Sequence, residues 1–483
     1  MVGPGSWRWG PLAAVCLAQT LLMLDVTIVT VALPAISVDL SGSLQSMQLI
    51  VDAYALALAA LLLNTGAVAD RIGRRRVFVC GLVTFGLASS LCGAANGATF
   101  LIAARALQGV GGAMLFATGL AILGAAYVGA DRAKALGAFG AVFGAAVALG
   151  PLVGGAILEV AEWRWIFLVN LPVVAVAIVI ALRHVPETRN PRPRRVDWVG
   201  QVTFAVGIAS LVTALIKGGD WGWTSTRTVA VAATAALTLA AFLISQARQA
   251  EPMFHLALLR NRSFAGSAIA AFATSASLFG MFVYLILYFQ KVEGIDGLPA
   301  GTRLLLVTIL AFVAAAGAGR LSSAVSPRLV LSAALTCSAV GLLQMTMLDA
   351  GSSWTVALPG LVLCGLGFGL ANPTVAAVTL AVAPPDHAAT AIGMNSTFRQ
   401  VGVATGVAAM GALFDHALSA PDAAGARAAQ AASVAYSDAL HHVFFAGSAI
   451  AAVGALLAAT LVRTTPTPAP TERSPKPTVP AAA

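Results

Sequence analysis

The sequence predicts an all-α, polytopic membrane protein with fourteen transmembrane helices and both termini in the cytoplasm. Three observations predict it. Of 483 residues, 59% are apolar and only 10% are charged, with a mean hydropathy of +0.89, which lies outside the range of soluble globular chains. Apolar runs long enough to cross a bilayer core of about 30 Å at ~1.5 Å per residue recur throughout, near 12–34, 47–68, 77–95, 99–124, 135–157, 166–185, 199–216, 228–247, 264–289, 304–320, 329–348, 354–380, 388–414 and 441–462. The basic residues are sorted between loops: with the N-terminus inside, cytoplasmic segments hold 20 of the 28 Lys and Arg, external loops hold six, and Arg105 and Arg399 fall inside spans. Lys and Arg are retained on the cytoplasmic side, so this asymmetry sets the orientation and explains the net charge of +9 without a nucleic-acid partner.

The first span carries LDVTIVTVALP from Leu24 to Pro34, which places Asp25 in an otherwise apolar helix. Asp25 lies roughly 20 Å from the cytoplasmic end at ~1.5 Å per residue. An ionised Asp at such a depth costs on the order of 3 kcal/mol, so it should face a cavity or a partner, or be protonated part of the time. It reads either as a proton site or as half of a static ion pair holding helices together. The span is too long for a signal peptide and lacks a small-residue cleavage site, so it is expected to stay in the mature chain.

The second span adds Asp52, with Tyr54 close by, roughly 8 Å down from the external side, and the fourth adds Arg105 at roughly 9 Å. Two acids and one base thus share the outer half of the membrane, where opposite charges lower each other's insertion cost. The second span ends in GAVADRIGRRR, with Gly66, Asp70, Arg71, Gly73, Arg74 and Arg75. A basic flank explains the arginines. The glycines suit close helix approach and a tight turn, and Asp70 suits an arginine or a helix N-terminus, which reads as a gate latch. The fourth span reads RALQGVGG from Arg105 through Gln108 to Gly112; no strand precedes it, so it is not a nucleotide loop. The fifth reads GPLVGG, with Gly150, Pro151, Gly154 and Gly155, where a lost backbone hydrogen bond and a thin helix surface bring kinking and close packing together. This is either a packing kink or a coupling element. WRWIFLVNLP, from Trp163 to Pro172, then anchors the sixth span at the interface through its indoles.

Taken together, these five motifs in this order resemble the major facilitator superfamily, specifically its fourteen-helix drug:proton antiporter branch. The resemblance continues through DWVG at Asp197, GGDWGW at Gly218 and EPMFHLALLRNRSF at Glu251, and covers nearly the whole chain apart from the tail. It implies a major facilitator fold, two six-helix halves plus two inserted helices. It implies proton-driven efflux of drugs, antibiotics or other small hydrophobic or cationic compounds. By the same resemblance proton coupling falls on Asp25 and Arg105, gating on the Asp70, Arg71 and Arg75 group, and antiport on Gly150 and Pro151. Asp52 is similar to an acid found in a subset of bacterial members. Thr30, Leu49 and Ala117 depart from the usual Asn, Trp and Pro.

An internal repeat supports the two halves. GRLSSAVSPRL at Gly319 aligns with GAVADRIGRRR, and LVLCGLG at Leu361 aligns with RALQGVG, so Leu361 replaces Arg105 and Cys364 replaces Gln108. The glycines recur and the charges do not, which assigns proton work to the first half. The expected organisation is a cytoplasmic N-terminus at 1–11, a first half at 12–185, a linker and inserted helices at 186–262, a second half at 263–462 and a disordered Pro-rich tail at 463–483.

The second half keeps Arg399, about 16 Å into the thirteenth span, which either meets a substrate charge or satisfies backbone carbonyls. Cavity candidates are Tyr54, Gln108, Phe116, Phe143, Asn395, Phe398 and Arg399. An external loop of about 25 residues before the last span, with Asp415, His416, Asp422, Asp438, His441 and His442, reads as solvated rather than metal-binding. The five cysteines all fall in apolar spans and read as packing residues, with no disulfide and no metal site. A dedicated secondary-metabolite exporter and a proton-coupled symporter or facilitator of a small solute stay open as alternatives. A channel would need a continuous polar path, and an enzyme clustered catalytic groups that the sequence does not offer. The expected partners are the lipid bilayer and a small-molecule substrate. Protons act as coupling ion with no other cofactor, and the chain functions as a monomer. Arg outnumbers Lys 24 to 4 amid abundant Ala and Gly, which hints at a GC-rich bacterial genome, and the expected location is the bacterial plasma membrane.

Overall fold

The computed structural model describes residues 8–190, 195–295, 298–384, 387–418 and 426–463. Among these, fourteen helices are long and apolar enough to cross a membrane. They are α1 (Gly10–Asp39), α2 (Leu44–Ile72), α3 (Arg74–Gly93), α4 (Ala98–Ala126), α5 (Gly129–Val160), α6 (Trp165–His184), α7 (Trp198–Trp221), α8 (Thr226–Arg248), α9 (Arg262–Lys291), α10 (Leu298–Ala324), α11 (Pro327–Met345), α12 (Leu358–Val382), α13 (Ala388–Leu418) and α14 (Ala426–Leu461). The side chains of Ser43, Asp197, Ser225 and Asn261 accept hydrogen bonds from backbone N–H groups in the first turns they cap. Pro11 and Pro327 open α1 and α11, where the missing N–H costs nothing.

Helix ends correct one expectation. α13 carries Asp415 and His416, and α14 carries Asp438, His441 and His442, so most of the expected external loop is helix. Ala-rich sequence around Ser433–Leu440 favours helix over a solvated coil, and His441 is used locally, its ring nitrogen 2.9 Å from the Leu348 carbonyl oxygen. Asp422 lies outside the described residues.

The first six helices pack among themselves, as do the last six, and the two groups meet along two seams, α2 with α13 and α5 with α10. The chain runs up and down, so both ends of the helical array lie at one face, here the terminal face, opposite a far face. The internal repeat is visible in the packing. A Cβ on Gly109 would strike the Tyr54 carbonyl oxygen of α2, and one on the aligned Gly365 would stand 2.6 Å from the Val307 carbonyl oxygen of α10. Close backbone approach is what these glycines provide.

α7 lies against both α2 and α13, whereas α8 packs chiefly on α7 and has only 17% of its apolar window buried. The α7 start is fastened to α2. Asn64 Nδ2 donates to the Asp197 carbonyl oxygen at 2.8 Å, and Gln201 Nε2 to that of Ala60 at 2.6 Å. The Asp197 carboxylate caps α7 through the Gly200 N–H at 2.7 Å and accepts from Gln246 Nε2 at 2.6 Å and Gln249 Nε2 at 2.9 Å. Burial pushes this carboxyl up, but the side-chain donors Gln246 and Gln249 and the N–H groups of Gly200 and Met253 outweigh it and hold it below the usual carboxylate range. DWVG is therefore the cap and the fastening of the inserted pair.

Candidate functional site

Five helices converge on Asp25. Arg105 Nη1 of α4 donates to Asp25 Oδ2 at 2.5 Å, and Gln108 Nε2, one turn along the same helix, donates to Oδ1 at 2.8 Å. Gln108 also donates to Ser89 Oγ of α3 at 2.9 Å and accepts from Arg105 Nη1 at 2.5 Å. Asn170 Nδ2 of α6 lies 3.4 Å from both Asp25 Oδ1 and Ser89 Oγ. Arg105 Nε donates to the Ile50 carbonyl oxygen of α2 at 3.1 Å, and its guanidinium stacks 4.5 Å from the Tyr54 ring centroid. Both charged side chains are 1% exposed, so each is the other's compensation for desolvation. A proton arriving on Asp25 would leave Arg105 as an uncompensated buried cation, which disfavours this packing by about 3–5 kcal/mol. The pair fastens α1 to α4.

Asp52 stands apart from that network. It is fully buried, and neither carboxylate oxygen has a hydrogen-bond partner among the described residues. One turn away, Gln48 Nε2 donates to Tyr284 Oη of α9 at 2.9 Å, and Tyr284 donates to the Val407 carbonyl oxygen of α13 at 3.1 Å. Gln290 Nε2 donates to the Val31 carbonyl oxygen at 3.2 Å, and Gln45 Nε2 lies 3.4 Å from Asp415 Oδ2. These bonds join the halves toward the far face.

Between the halves, beside the ion pair, lies a cavity of about 30 Å³ whose wall includes Tyr54, Arg105, Phe279, Phe368, Arg399 and Gln400. A neighbouring space of about 20 Å³ shares Phe279 and Phe368 and reaches Pro151 and Thr308. Each has room for only a water or two, so the halves are nearly closed on one another here. Gly150 is required where α5 crosses α1: a Cβ there would overlap the Thr27 side chain. Gly154 sits at ordinary contact distance, 3.4 Å from Ile28 Cα, and Gly155 is buried. α5 continues as one helix through Pro151.

The family description Major Facilitator Superfamily matches residues 15–407. The chain belongs to this superfamily. Among its relatives, the puromycin resistance protein pur8 of Streptomyces alboniger is 36% identical over 84% of this chain and 82% of its own length. The multidrug transporter protein MdtP of Bacillus subtilis is 31% identical over 86% and 76%. The tetracenomycin C resistance and export protein of Streptomyces glaucescens is 32% identical over 84% and 76%. In fold, the chain is similar to a bacterial homolog of the human lysosomal transporter Spinster, with a TM-score of 0.70, 17% identity and coverage of 97% and 100%.

In this superfamily member the GAVADRIGRRR motif makes its contacts with the first half and the start of the linker that follows it. Gly73, at φ +126°, turns the chain between α2 and α3. Arg74 Nη2 reaches Asp70 at 2.9 Å, and the Arg75 N–H donates to Glu187 Oε1 at 3.1 Å. Arg75 Nη1 donates to the Val185 carbonyl oxygen at 3.3 Å, and Arg71 is exposed. At Gly66, nothing among the described residues stands within 4 Å of where its Cβ would be.

Several cavity candidates are also corrected. Tyr54 and Arg399 line the cavity. Gln108 belongs to the Asp25 network instead, since a buried amide beside a carboxylate finds its partner there. Asn395 is bound to Ser267 at 3.3 Å and to Thr379. Phe398 packs on Phe254 with centroids 5.6 Å apart. Phe116 lies beneath Arg399, 5.4 Å from guanidinium carbon to ring centroid. The Phe143 side chain lies outside the described residues. Sequence reasoning missed Ser89, Gln48, Tyr284 and Glu187; the available signal was an isolated polar residue in an apolar run, or a lone acid after a span.

Proposed function

We propose that the protein exports antibiotics and other drug-sized compounds across the bacterial plasma membrane in exchange for protons. The observation that carries this reading is the buried Asp25–Arg105 pair at the wall of an inter-half cavity. Protonation of Asp25 weakens one packing of α1 against α4, and cargo in the cavity favours another, so the two ligands select different states. A proton crossing ~100 mV and about one pH unit releases roughly 3.7 kcal/mol, enough to hold a several-hundred-fold gradient of neutral cargo. The relatives named for multidrug transport, puromycin resistance and tetracenomycin C export support the class of cargo. Hydrogen bonds toward the far face support loading from the terminal face.

The test uses proteoliposomes enclosing a pH-sensitive dye, with puromycin and ethidium as trial substrates. Wild type should show substrate-evoked proton flux, and Asp25→Asn should abolish it. Flux that survives in Asp25→Asn and disappears in Asp52→Asn would move the proton site to α2. Failure of every trial drug to move protons, together with no drug protection of a host stripped of its own exporters, would sink the exporter reading.

A further inference from the structure

We propose that Asp52 is a second proton site, distinct from Asp25, and that a proton on it is the condition for closing the far face. This deepens the proton-exchange reading and rests on it. The two carboxylates have opposite surroundings in one conformation. Asp25 faces a guanidinium and two amide donors, a set that matches a negative charge. Asp52 is fully buried, and among the described residues no hydrogen-bond partner reaches either of its oxygens. The charged and titratable groups on the helices around it are engaged elsewhere: Arg105 on α4 with Asp25, Lys217 and Asp220 on α7 with each other, Tyr284 on α9 with Gln48 and the Val407 carbonyl oxygen. On α13, Arg399 stacks on Phe116 and Asp415 accepts from Gln45. An unmatched negative charge is far costlier there than a neutral carboxyl group, so the closed packing selects the protonated acid.

The plug between Asp52 and the far face is built in layers. One turn outward, Gln48 Nε2 donates to Tyr284 Oη at 2.9 Å. Gly411 of α13 leaves the room for that bond, since a Cβ there would overlap both the Gln48 amide and the Tyr284 hydroxyl. Further out, the rings of Tyr284 and Phe414 lie 5.0 Å apart between centroids, and those of Phe414 and Tyr436 4.8 Å. α2 supplies Gln48 from the first half, and α9, α13 and α14 supply the rest from the second. The plug therefore exists only while the halves meet at this face. Parting them wets Asp52, and water stabilises its anion. Closing again over that anion is disfavoured, so the carboxylate first takes one proton from external water and becomes the neutral acid; no other bond changes. External acid thus drives closure, the direction in which an inward proton gradient does work.

The experiment uses neither drug nor transport, so that it stands apart from the exporter reading. Protein in nanodiscs, with spin labels on non-natural residues at the far-face ends of α2 and α9, is measured between about pH 5 and about pH 9. Infrared spectra of the same samples report neutral carboxyl groups through their carbonyl stretch. Wild type should close as pH falls, its open-to-closed ratio changing by up to about tenfold per pH unit, the limit for one proton. Asp25→Asn should keep that dependence. Asp52→Asn, neutral at every pH, should stay closed throughout and lose an infrared band that Asp25→Asn retains. Gly411→Ala crowds the plug and should move the wild-type transition toward acid. A wild-type distance that does not change with pH overturns the proposal, as does a pH dependence that persists in Asp52→Asn with a wild-type unfolding temperature. Closure that follows the proton on Asp52, while no trial drug moves protons in proteoliposomes, would support the proposal and count against the exporter reading.

Discussion

Gln48 of α2 and Tyr284 of α9 share a 2.9 Å hydrogen bond across the two halves, one helical turn from the Asp52 carboxylate, which has no hydrogen-bond partner among the described residues. Opening the far face must break it, and breaking it brings water toward Asp52.

Tyr284→Phe removes the donor to the Val407 carbonyl oxygen and the acceptor for Gln48. A buried hydrogen bond contributes about 0.5–1.5 kcal/mol, so the population opened at the far face should rise roughly two- to tenfold. Spin-label distances between the far-face ends of α2 and α9 should lengthen. An unchanged distance distribution would show that Gln290 and Gln45 hold that face by themselves.

Arg105→Lys keeps the charge but loses the fork to Asp25 and Gln108, the bond to the Ile50 carbonyl oxygen and the face against Tyr54. The two cations are not interchangeable at such a site. Proton flux should fall at least as far as with a conservative carboxylate change, and the unfolding temperature should drop. Retained flux would mean that only the charge of Arg105 matters.

Gly66→Ala and Gly109→Ala should shift stability in opposite directions. At Gly66 no described residue stands within 4 Å of an added Cβ, so alanine gains helix propensity, about 0.8–1 kcal/mol. At Gly109 the added methyl meets the Tyr54 backbone and the side chain of Ala57, and must move α4 off α2. Overpacking of this kind costs about 1–3 kcal/mol. Unfolding temperatures in one detergent decide it, and a shift of the same sign for both would contradict the packing described.

Acid should loosen the inserted pair late. The folded-state pKa of Asp197 is depressed, so its contribution is fully present above the ordinary carboxylate value of 3.8 and is lost as pH falls below it. Exchange of the amides at the start of α7 should be flat from neutral pH to about 5 once corrected for intrinsic rates, and should rise only below about 4. Asp197→Asn should remove that acid dependence. A protection loss centred near neutral pH would assign the clasp to another group.

The fourteen spans and their alternation were legible because hydropathy and the sorting of arginines act on a scale longer than any boundary error. Asp25 and Arg105 were legible for a related reason, since each is too costly in an apolar helix without the other. That Asp52 would stand outside their network was not, because equal depth says nothing about helix phase. Asn395 and Gln108 had the right chemistry for a cavity but were claimed by nearer partners, Thr379 and Asp25.

α7 covers the α2–α13 seam and is tied to α2 by Asn64 and Gln201, while the α5–α10 seam turns Leu149, Ile309 and Val313 outward. A book bound along one edge opens along the other. Acyl chains press directly on the moving joint at one edge only, so bilayer thickness and lipid order act on this protein from a single side.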